Sequence, residues 1–148
     1  MAKEIELIAR GLLLRGGDVL LCRNIEQGHL FLPGGHIEFG EPAADALARE
    51  FAEESDLAVR VGPLLLVTEG SFEQKGKRHH EINLVFHVEP TAGPAPEHVA
   101  SREPQITFDW TPLAAVQERD VRPQAIQAWL AAGGRGDPAG AGWLSDMH

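Results

Sequence analysis

The sequence predicts an α+β or α/β sandwich, and three observations indicate this fold class. Short runs with strand character recur along the chain, one amphipathic helical run follows a glycine-rich turn, and a second helical run begins at a proline near the end. At 148 residues the chain is long enough to build one domain with its own core. We assign that domain to residues 1–132 and regard residues 133–148 as a glycine-rich C-terminal extension.

The chain is predicted to begin with a hairpin. Residues 4–14 have one mostly apolar face, and residues 19–23 have the same character after the turn at residues 15–18. Two glycines between such runs are a signal for a tight turn. A polar loop at residues 24–29 then leads to a short apolar piece that stops at Pro33.

A helix is predicted from Pro42 to Ser55. Proline suits the first helical position, because the N–H that it lacks has no partner there. Leu47 and Phe51 lie one turn apart and form the centre of the stripe that faces the core. Small alanines beside them allow the helix to pack closely on a sheet.

The second half of the chain alternates between apolar runs and polar or proline-rich connections. Prolines open both of its short helices, and Gly62-Pro63 indicates a bend within its first strand. The predicted elements are a strand at 57–68, a polar loop at 69–77, a strand at 80–88, a surface connection at 89–105, a strand at 106–110, and helices at 112–117 and 123–132.

Composition excludes several classes of function. The net charge of −9 argues against a nucleic acid polymer as partner, because that kind of binding relies on many Lys and Arg contacts to phosphate. We predict no membrane span, because no apolar run approaches the ~20 residues that one requires. The N-terminus does not resemble a secretory signal, and the single cysteine, Cys22, excludes an internal disulfide. The expected location is the cytoplasm.

Three carboxylates on the first helix carry the strongest functional signal. Glu50, Glu53 and Glu54 lie within about one and a half turns, and Arg49 is the only cation in the stretch. Glu50 and Glu54 are like charges at positions i and i+4, which destabilises a helix by a few tenths of a kcal/mol. A solvated acidic face is the ordinary explanation for any one of them. Together they indicate a divalent metal, and the adjacent glycine-rich turn indicates phosphate chemistry.

The spacing around these residues resembles a known family. Six residues hold fixed offsets, and a chance match has odds on the order of 10⁻⁸ per starting position at average residue usage. The segment 35–57 resembles the Nudix box, Gly-x5-Glu-x7-Arg-Glu-U-x-Glu-Glu-x-Gly-U, where U is a bulky apolar residue. Asp56 stands where the motif has its second glycine, so we expect a slightly strained or altered helix end with the metal residues intact. The matching residues are Gly35, Glu41, Arg49, Glu50, Glu53 and Glu54.

The resemblance implies a fold and an activity. The fold is an α/β/α sandwich with a mixed sheet, a central catalytic helix and a C-terminal helix. The activity is hydrolysis of the diphosphate linkage in a nucleoside diphosphate-linked small molecule, with Mg²⁺ or alternatively Mn²⁺ as cofactor. A homodimer is a further hypothesis, based on family habit and on the apolar residues Trp143 and Leu144 in the extension.

The resemblance also assigns roles to residues. Glu53 and Glu54 are implied as direct metal ligands, and Glu50 as either a ligand or the general base. Arg49 is implied to orient Glu50 or a neighbouring carboxylate, and Glu41 to anchor the site or bind a second metal. Which glutamate is the base stays open. The predicted catalytic residues are Glu50, Glu53 and Arg49, and the predicted metal ligands are the carbonyl of Gly34 with Glu50, Glu53 and Glu54.

Outside the box, we predict Arg10, Arg23 and Glu81 as substrate-binding residues. The two arginines lie on the first two predicted strands, where each is a candidate for contacting substrate phosphates or an ordinary surface residue. Glu81 is a candidate for an extra carboxylate in the cleft. Other candidates with weaker signals are the cations Lys75, Lys77 and Arg78, the carboxylates Glu97 and Glu103, and the aromatic residues Phe31 and Phe72.

Two alternatives belong to other functional classes. The first is a non-catalytic nucleotide-binding or sensing module on the same fold, for which Asp56 is the one supporting feature. The second is an acidic calcium- or metal-binding protein without turnover. Ligands of that second class more often alternate along a loop than lie on a helix.

Overall fold

In the computed structural model, which describes residues 3–137 and 139–147, the chain forms two β-sheets with helices packed against them. The elements follow one another in the order that the sequence predicts, with four differences. The first predicted strand is divided in two, residues 34–36 form a strand in the predicted glycine-rich turn, the strands in the middle are longer, and residues 142–145 form an extra strand. They are β1 (Glu6–Leu12), β2 (Leu14–Arg15), β3 (Asp18–Asn24), β4 (Leu30–Phe31), β5 (Gly34–His36), α1 (Ala43–Glu54), β6 (Val59–Gln74), β7 (Lys77–Pro90), β8 (Ile106–Pro112), a 3₁₀ helix (Leu113–Glu118), α2 (Gln124–Ala131) and β9 (Gly142–Ser145).

The larger sheet is mixed and has the strand order β5-β1-β7-β6-β9. β1 runs parallel to β7, and β6 runs parallel to β9. The other two pairs are antiparallel, namely β1 with β5 and β6 with β7. Strands from opposite halves of the chain therefore become neighbours: Glu6 on β1 lies opposite Glu81 on β7. The mixed sheet and its helices confirm the predicted α+β fold class.

The smaller sheet places β3 at its centre, flanked by β2, β4 and β8. The predicted N-terminal hairpin is present between β2 and β3, with Arg15 opposite Asp18 across the turn at Gly16-Gly17, whereas residues 6–12 pair in the larger sheet instead. Gly16 has a φ of +60°, which explains why the turn uses glycine.

Two apolar clusters hold the layers together. Leu47 and Phe51 of α1 pack with Ala9 of β1 and Leu20 of β3, which confirms the predicted core-facing stripe of the helix. The other cluster packs α2, through Ile126 and Leu130, against the opposite part of the two sheets. Its remaining buried members are Leu12, Val19, Leu21, Leu30, Leu32, Leu66, Val85, Val116 and Val121.

The prediction of a polar loop at residues 69–77 is wrong. These residues extend β6 as far as Gln74, and the chain turns at Lys75 and Gly76, both of which have positive φ. Consecutive residues with positive φ match the tight turns that join strands with the native twist. The polar side chains of this segment occupy exposed strand positions. The bend predicted at Gly62-Pro63 in the same strand is confirmed by register shifts next to it.

The C-terminal extension contributes to the larger sheet. Its residues 142–145 form β9, where Trp143 lies opposite Val67 and Leu144 opposite Thr68. Both side chains remain well exposed at this edge. The division at residue 132 stays a prediction. Within the described residues, no helix has the length and apolar character needed to cross a membrane.

Candidate active site

Arg49 is the centre of an ion-pair network on α1. Its guanidinium forms a two-pronged contact with Glu41, with Nε 2.8 Å from Oε2 and Nη2 3.0 Å from Oε1. Nη1 also donates to Glu50 Oε1 at 2.9 Å and to Glu53 Oε2 at 3.2 Å. Nη2 donates to the carbonyl of His36 at 3.2 Å. Three of the carboxylates in segment 35–57 are thus held by one arginine.

The network changes the acidity of its members. Hydrogen bonds to Glu41, and then to Glu50 and Glu53, raise the pKa of Arg49 above its usual value. The same contact with Arg49, aided by the backbone N–H of Glu38, lowers the pKa of Glu41. Glu41 therefore stays ionised and paired. Of the two roles that the resemblance implies for Glu41, this geometry supports the anchoring role.

Glu54 is in a different environment from the residues that Arg49 holds. Burial raises the pKa of Glu54 to about 8, and the charge of Glu50 and a hydrogen bond with it act in the same direction, whereas Arg10 opposes them. Two neighbouring carboxyl groups that share a low-dielectric site cannot both ionise easily. A cation placed between them would replace the proton that they otherwise retain.

Two glycines bring the loop backbone close to these carboxylates. Gly34 has a φ of +151°, and a Cβ there would lie 1.9 Å from the carbonyl oxygen of Ala9 on the adjacent strand. A Cβ at Gly35 would lie 2.3 Å from the carboxyl carbon of Glu50. The first glycine is required by the pairing of β5 with β1. The second leaves the space that the Glu50 carboxylate occupies.

The donor set suits a hard divalent cation, although its members are not fully gathered. Carboxylate and carbonyl oxygens are the donors that Mg²⁺ prefers. Among residues 3–137 and 139–147, no three His, Cys, Asp or Glu side chains form a ready metal cluster. The reason lies in Arg49, because it contacts both Glu50 and Glu53 and leaves Glu54 paired with Glu50 alone. Glu53 is half-exposed and has room to turn.

A cleft of about 630 Å³ lies against the larger sheet. Strands from both halves of the chain line it, including β1, β6 and β7, together with the start of α2. Arg10 and Glu81 are among its lining residues, so two of the three predicted substrate-binding residues lie in the same cleft. Its lining also includes Phe31, Gly70, Asn83 and Asp146.

Arg10 connects this cleft to the glutamate helix. Its Nε donates to Asn83 Oδ1 at 3.1 Å, its Nη1 donates to the carbonyl of Leu32 at 3.1 Å, and the guanidinium lies 5.6 Å from the ring centre of Phe31. Burial lowers the pKa of Arg10, while the negative charge of Glu81 raises it, as do the more distant charges of the α1 carboxylates. Arginine stays charged in either case, so the cleft contains a fixed positive group.

Arg23 lies apart from the other predicted substrate-binding residues. Its Nε is 2.9 Å from Asp109 Oδ2, and its Nη1 donates to the carbonyl of Gly28 at 3.3 Å. It is absent from the cleft lining, because it points to β8 across the smaller sheet. Among the weaker candidates, Glu97 pairs with Arg15, whereas Glu103 is close enough to Glu54 to raise its pKa.

A second cavity, of about 520 Å³, is open and contains none of the predicted site residues. It lies beside Arg15 and Arg60, which pair with Glu97 and Glu89. The larger cleft is therefore the candidate substrate site, because it shares Arg10 with the carboxylate group.

Comparison with known proteins decides the family. The family described as NUDIX domain matches residues 6–130, which is most of the chain. The chain belongs to the Nudix family. A curated relative, an ADP-ribose pyrophosphatase from Methanocaldococcus jannaschii, is 34% identical over 86 residues, which cover 56% of this chain and 50% of that protein. The chain thus spans about half the length of this curated relative.

Solved structures agree on the Nudix fold. A MutT protein from Methanosarcina mazei Go1 superposes with a TM-score of 0.69 at 22% identity, covering 89% of this chain and 94% of that one. A MutT NUDIX hydrolase from Burkholderia pseudomallei gives a TM-score of 0.67 at 23% identity, covering 87% and 98%. At this level of identity the likeness concerns the fold alone.

The Nudix box ends in an altered helix terminus that shows no backbone strain. Among the described residues, Lys75 is the only non-glycine residue with positive φ, so Asp56 is not left-handed. Ser55 ends the helix in an extended conformation. Its Oγ donates to the carbonyl of Phe51 at 2.6 Å and accepts from the N–H of Leu57 at 3.1 Å. The Ser55 hydroxyl thus ends the helix through hydrogen bonds, whereas a glycine would end it by adopting a left-handed conformation.

A distant segment completes this helix end. The backbone N–H of Arg102 donates to the carbonyl of Glu54 at 2.8 Å, and its Nη1 donates to the carbonyl of Ala52 at 3.3 Å. These contacts satisfy carbonyls that every helix leaves free at its C-terminus. Nothing in the local sequence indicates that residues 101–102 return to this point.

Proposed function

We propose that this Nudix protein is a metal-dependent pyrophosphohydrolase that hydrolyses the diphosphate linkage of a nucleoside diphosphate derivative. The oxygen of a water molecule bonds to one phosphorus as the bridging P–O bond breaks. The products are a nucleoside monophosphate and the phosphate of the partner group. The observation that carries the proposal is the hydrogen-bonded contact between the carboxyl groups of Glu50 and Glu54, which lie close enough to Arg10 of the cleft for its charge to act on them.

The residues have distinct roles in the proposed reaction. Glu53, Glu54 and the carbonyl of Gly34 hold Mg²⁺, or alternatively Mn²⁺, with Glu50 as a further ligand or as the base that takes a proton from water. When bound, the cation neutralises phosphate oxygens and lowers the pKa of water. Arg49 fixes the direction of the Glu50 carboxylate through the 2.9 Å contact. Glu50 is only 15% exposed, which limits its hydration and favours one orientation.

The substrate side of the proposal concerns the cleft. Arg10 provides the positive charge for the diphosphate, since Asn83 and the carbonyl of Leu32 hold its guanidinium in place. Glu81 lines the same cleft and is proposed to orient the bound ligand. Arg23 is not part of this proposal, because Asp109 already engages it.

A turnover assay tests the function. The protein is incubated with Mg²⁺ and a panel of nucleoside diphosphate derivatives, beginning with ADP-ribose because the curated relative is named for it. Release of the nucleoside monophosphate is the expected result, and EDTA should abolish it. Glu53→Gln and Glu54→Gln should each lower the rate by about 10²- to 10⁴-fold, given typical contributions of base and metal catalysis.

The matched control is Glu118→Gln, which changes an exposed glutamate in the 3₁₀ helix away from the site. It should retain full activity. Equal rates for wild type and both site variants would contradict the proposed roles. Absence of turnover across the whole panel would instead favour the nucleotide-sensing alternative.

We also propose a homodimer, supported by apolar side chains at the edge of the larger sheet. Trp143 is 57% exposed and Leu144 38% exposed on β9, next to no further strand among the described residues. Edge strands with exposed apolar residues are common association sites. Light scattering should give the mass of two chains, and the mass of a single chain would refute this proposal.

A further inference from the structure

The C-terminal extension forms part of the wall of the substrate cleft. β9 pairs with β6, and directly after it the backbone N–H of Asp146 donates to the carbonyl of Glu69 at 2.9 Å. Ser145 Oγ donates to Glu69 Oε1 at 2.9 Å and fixes the same turn of the chain. These contacts place Asp146 next to Gly70, where a Cβ would lie 3.8 Å from the Asp146 Cβ.

The two oxygens of the Asp146 carboxylate differ in the contacts that they make with the described residues. Oδ2 accepts the backbone N–H of Ala125 in the first turn of α2, at 3.0 Å. Within residues 3–137 and 139–147, no donor contacts Oδ1. Asp146 nevertheless lines the cleft. The hydrogen bond to α2 therefore fixes the direction of a carboxylate whose second oxygen stays available to a ligand.

The position of this carboxylate relative to Arg10 determines what it can contact. Arg10 lies on β1 and Asp146 follows β9, and β7 and β6 lie between them in the sheet. Three strand spacings of about 4.8 Å separate the two strands by roughly 14 Å, and the strand register places Asp146 four residues beyond Gly142, which lies in the same row as Arg10. A carboxylate repels phosphate, so an anionic diphosphate held near Arg10 leaves Asp146 to the uncharged part of the ligand.

We propose that Asp146 determines substrate specificity by accepting a hydrogen bond from an N–H or O–H donor on the nucleoside part of the substrate. The inference rests on the proposed function only in assuming that the ligand is a nucleotide. The donor is either a ribose hydroxyl or an exocyclic amine of the base. Gly70 lies between Glu81 and Asp146 in the sheet and lines the cleft, and it has no side chain that could stand between the Asp146 carboxylate and that part of the ligand.

Asp146→Asn tests the role with little change in shape. A carboxylate has two acceptor oxygens and can bond to α2 and to the ligand together, whereas an amide has one acceptor oxygen and must give up one of them. KM should rise about tenfold, the equivalent of one lost hydrogen bond, with kcat within about threefold of wild type. A purely structural role would lower the melting temperature and leave KM unchanged.

Asp137→Asn is the matched control, because Asp137 lies in the same extension, accepts the N–H of Ala139 and is absent from the cleft lining. It should leave KM unchanged. Three derivatives identify the donor: those of adenosine, 2′-deoxyadenosine and uridine. If the penalty of Asp146→Asn disappears for 2′-deoxyadenosine the donor is the 2′-hydroxyl, and if it disappears for uridine the donor is the amine of the base.

Equilibrium binding separates this inference from the proposed function. Should the wild type hydrolyse nothing, titration calorimetry with AMP and ADP still compares the wild type with Asp146→Asn. Weaker binding by the folded variant supports the role of Asp146 even without turnover. The proposed role of Asp146 would be overturned if the wild type and Asp146→Asn had equal KM values for every derivative. In the absence of turnover, it would be overturned if the two proteins bound AMP and ADP with equal affinity or did not bind them.

Discussion

The glutamate helix and the substrate cleft are built in opposite ways. The network around Arg49 joins residues that lie within 13 positions of that arginine, from His36 to Glu53, through short hydrogen bonds. The cleft joins β1 to β7 and β6 to β9, so that Arg10 meets Asn83 and Asp146 meets Glu69 across more than 70 positions. The first region is determined by helical spacing and the second by sheet pairing.

This difference separates two kinds of sensitivity to mutation. Around the helix, one arginine forms hydrogen bonds with three carboxylates, so a displaced side chain changes the chemistry while the core stays intact. In the cleft, the functional groups are fixed by the backbone and by buried partners. Asn83, which holds Arg10, is only 1% exposed, so changes there affect folding as well as binding.

The largest expected effect is that of Gly34→Ala, which acts where the two regions meet. The new Cβ would lie 1.9 Å from the carbonyl oxygen of Ala9, and the φ of +151° is strained for alanine. Backbone strain and overpacking each cost about 1–3 kcal/mol, so we expect a loss of roughly 4 kcal/mol of unfolding free energy in urea titrations. Gly40→Ala is the control, because Gly40 has positive φ but open space around it. Its unfolding free energy should fall only by the part that comes from backbone strain. Equal losses would contradict the clash.

Gly35→Ala should affect catalysis more than stability. Its Cβ would lie 2.3 Å from the carboxyl carbon of Glu50, a side chain that can move aside where a backbone cannot. Displacing a catalytic group by about 1 Å costs on the order of 10²-fold in rate, so kcat should fall by about that factor. The melting temperature should stay close to that of the control Gly17→Ala, which meets nothing within 4 Å. An unchanged kcat would remove Glu50 from the catalytic machinery.

The same contrast explains what sequence could and could not predict. Segment 35–57 is predictable because its residues match the spacing of the Nudix box, which implies that Arg49 orients a carboxylate, and Arg49 does contact Glu41, Glu50 and Glu53. The strand positions of Arg10 and Glu81 predict that both contact the substrate, and both line the cleft. The strand position of Arg23 predicts the same, but Asp109 on β8 pairs with it, and strand pairing of that kind has no local signal.

Two further features depended on contacts that no local pattern encodes. The extended hairpin of β6 and β7 is polar on exposed positions, which hides the alternation that identifies strands. β9 is four residues long in a glycine-rich segment, and its pairing with β6 decides that Asp146 reaches the cleft. Short strands of this kind are stabilised by their neighbours rather than by their own propensity.

Asn83→Leu tests the buried support of the cleft. It removes the acceptor for Arg10 Nε at 3.1 Å and leaves a buried charged donor unpaired. Such a loss costs about 1–3 kcal/mol, measurable by chemical unfolding. In the double variant with Arg10→Leu the unpaired donor is also absent, so the combined loss should be smaller than the sum of the two single losses. Strict additivity would show that the contact contributes nothing to stability.

The smallest expected effect is that of Asp56→Gly, which restores the glycine of the Nudix box. If the helix end needed a left-handed residue, glycine would stabilise the protein. Asp56 does not adopt positive φ, and Ser55 with the N–H of Arg102 already satisfies the terminal carbonyls. Glycine then only adds conformational freedom to the unfolded chain, so we expect the free energy of unfolding to fall by about 0.5 kcal/mol. Ser55→Ala, which removes both hydroxyl contacts, should cost more. The sign of the Asp56→Gly effect in thermal unfolding decides whether this helix terminus depends on the hydroxyl of Ser55 or is a strained version of the usual box.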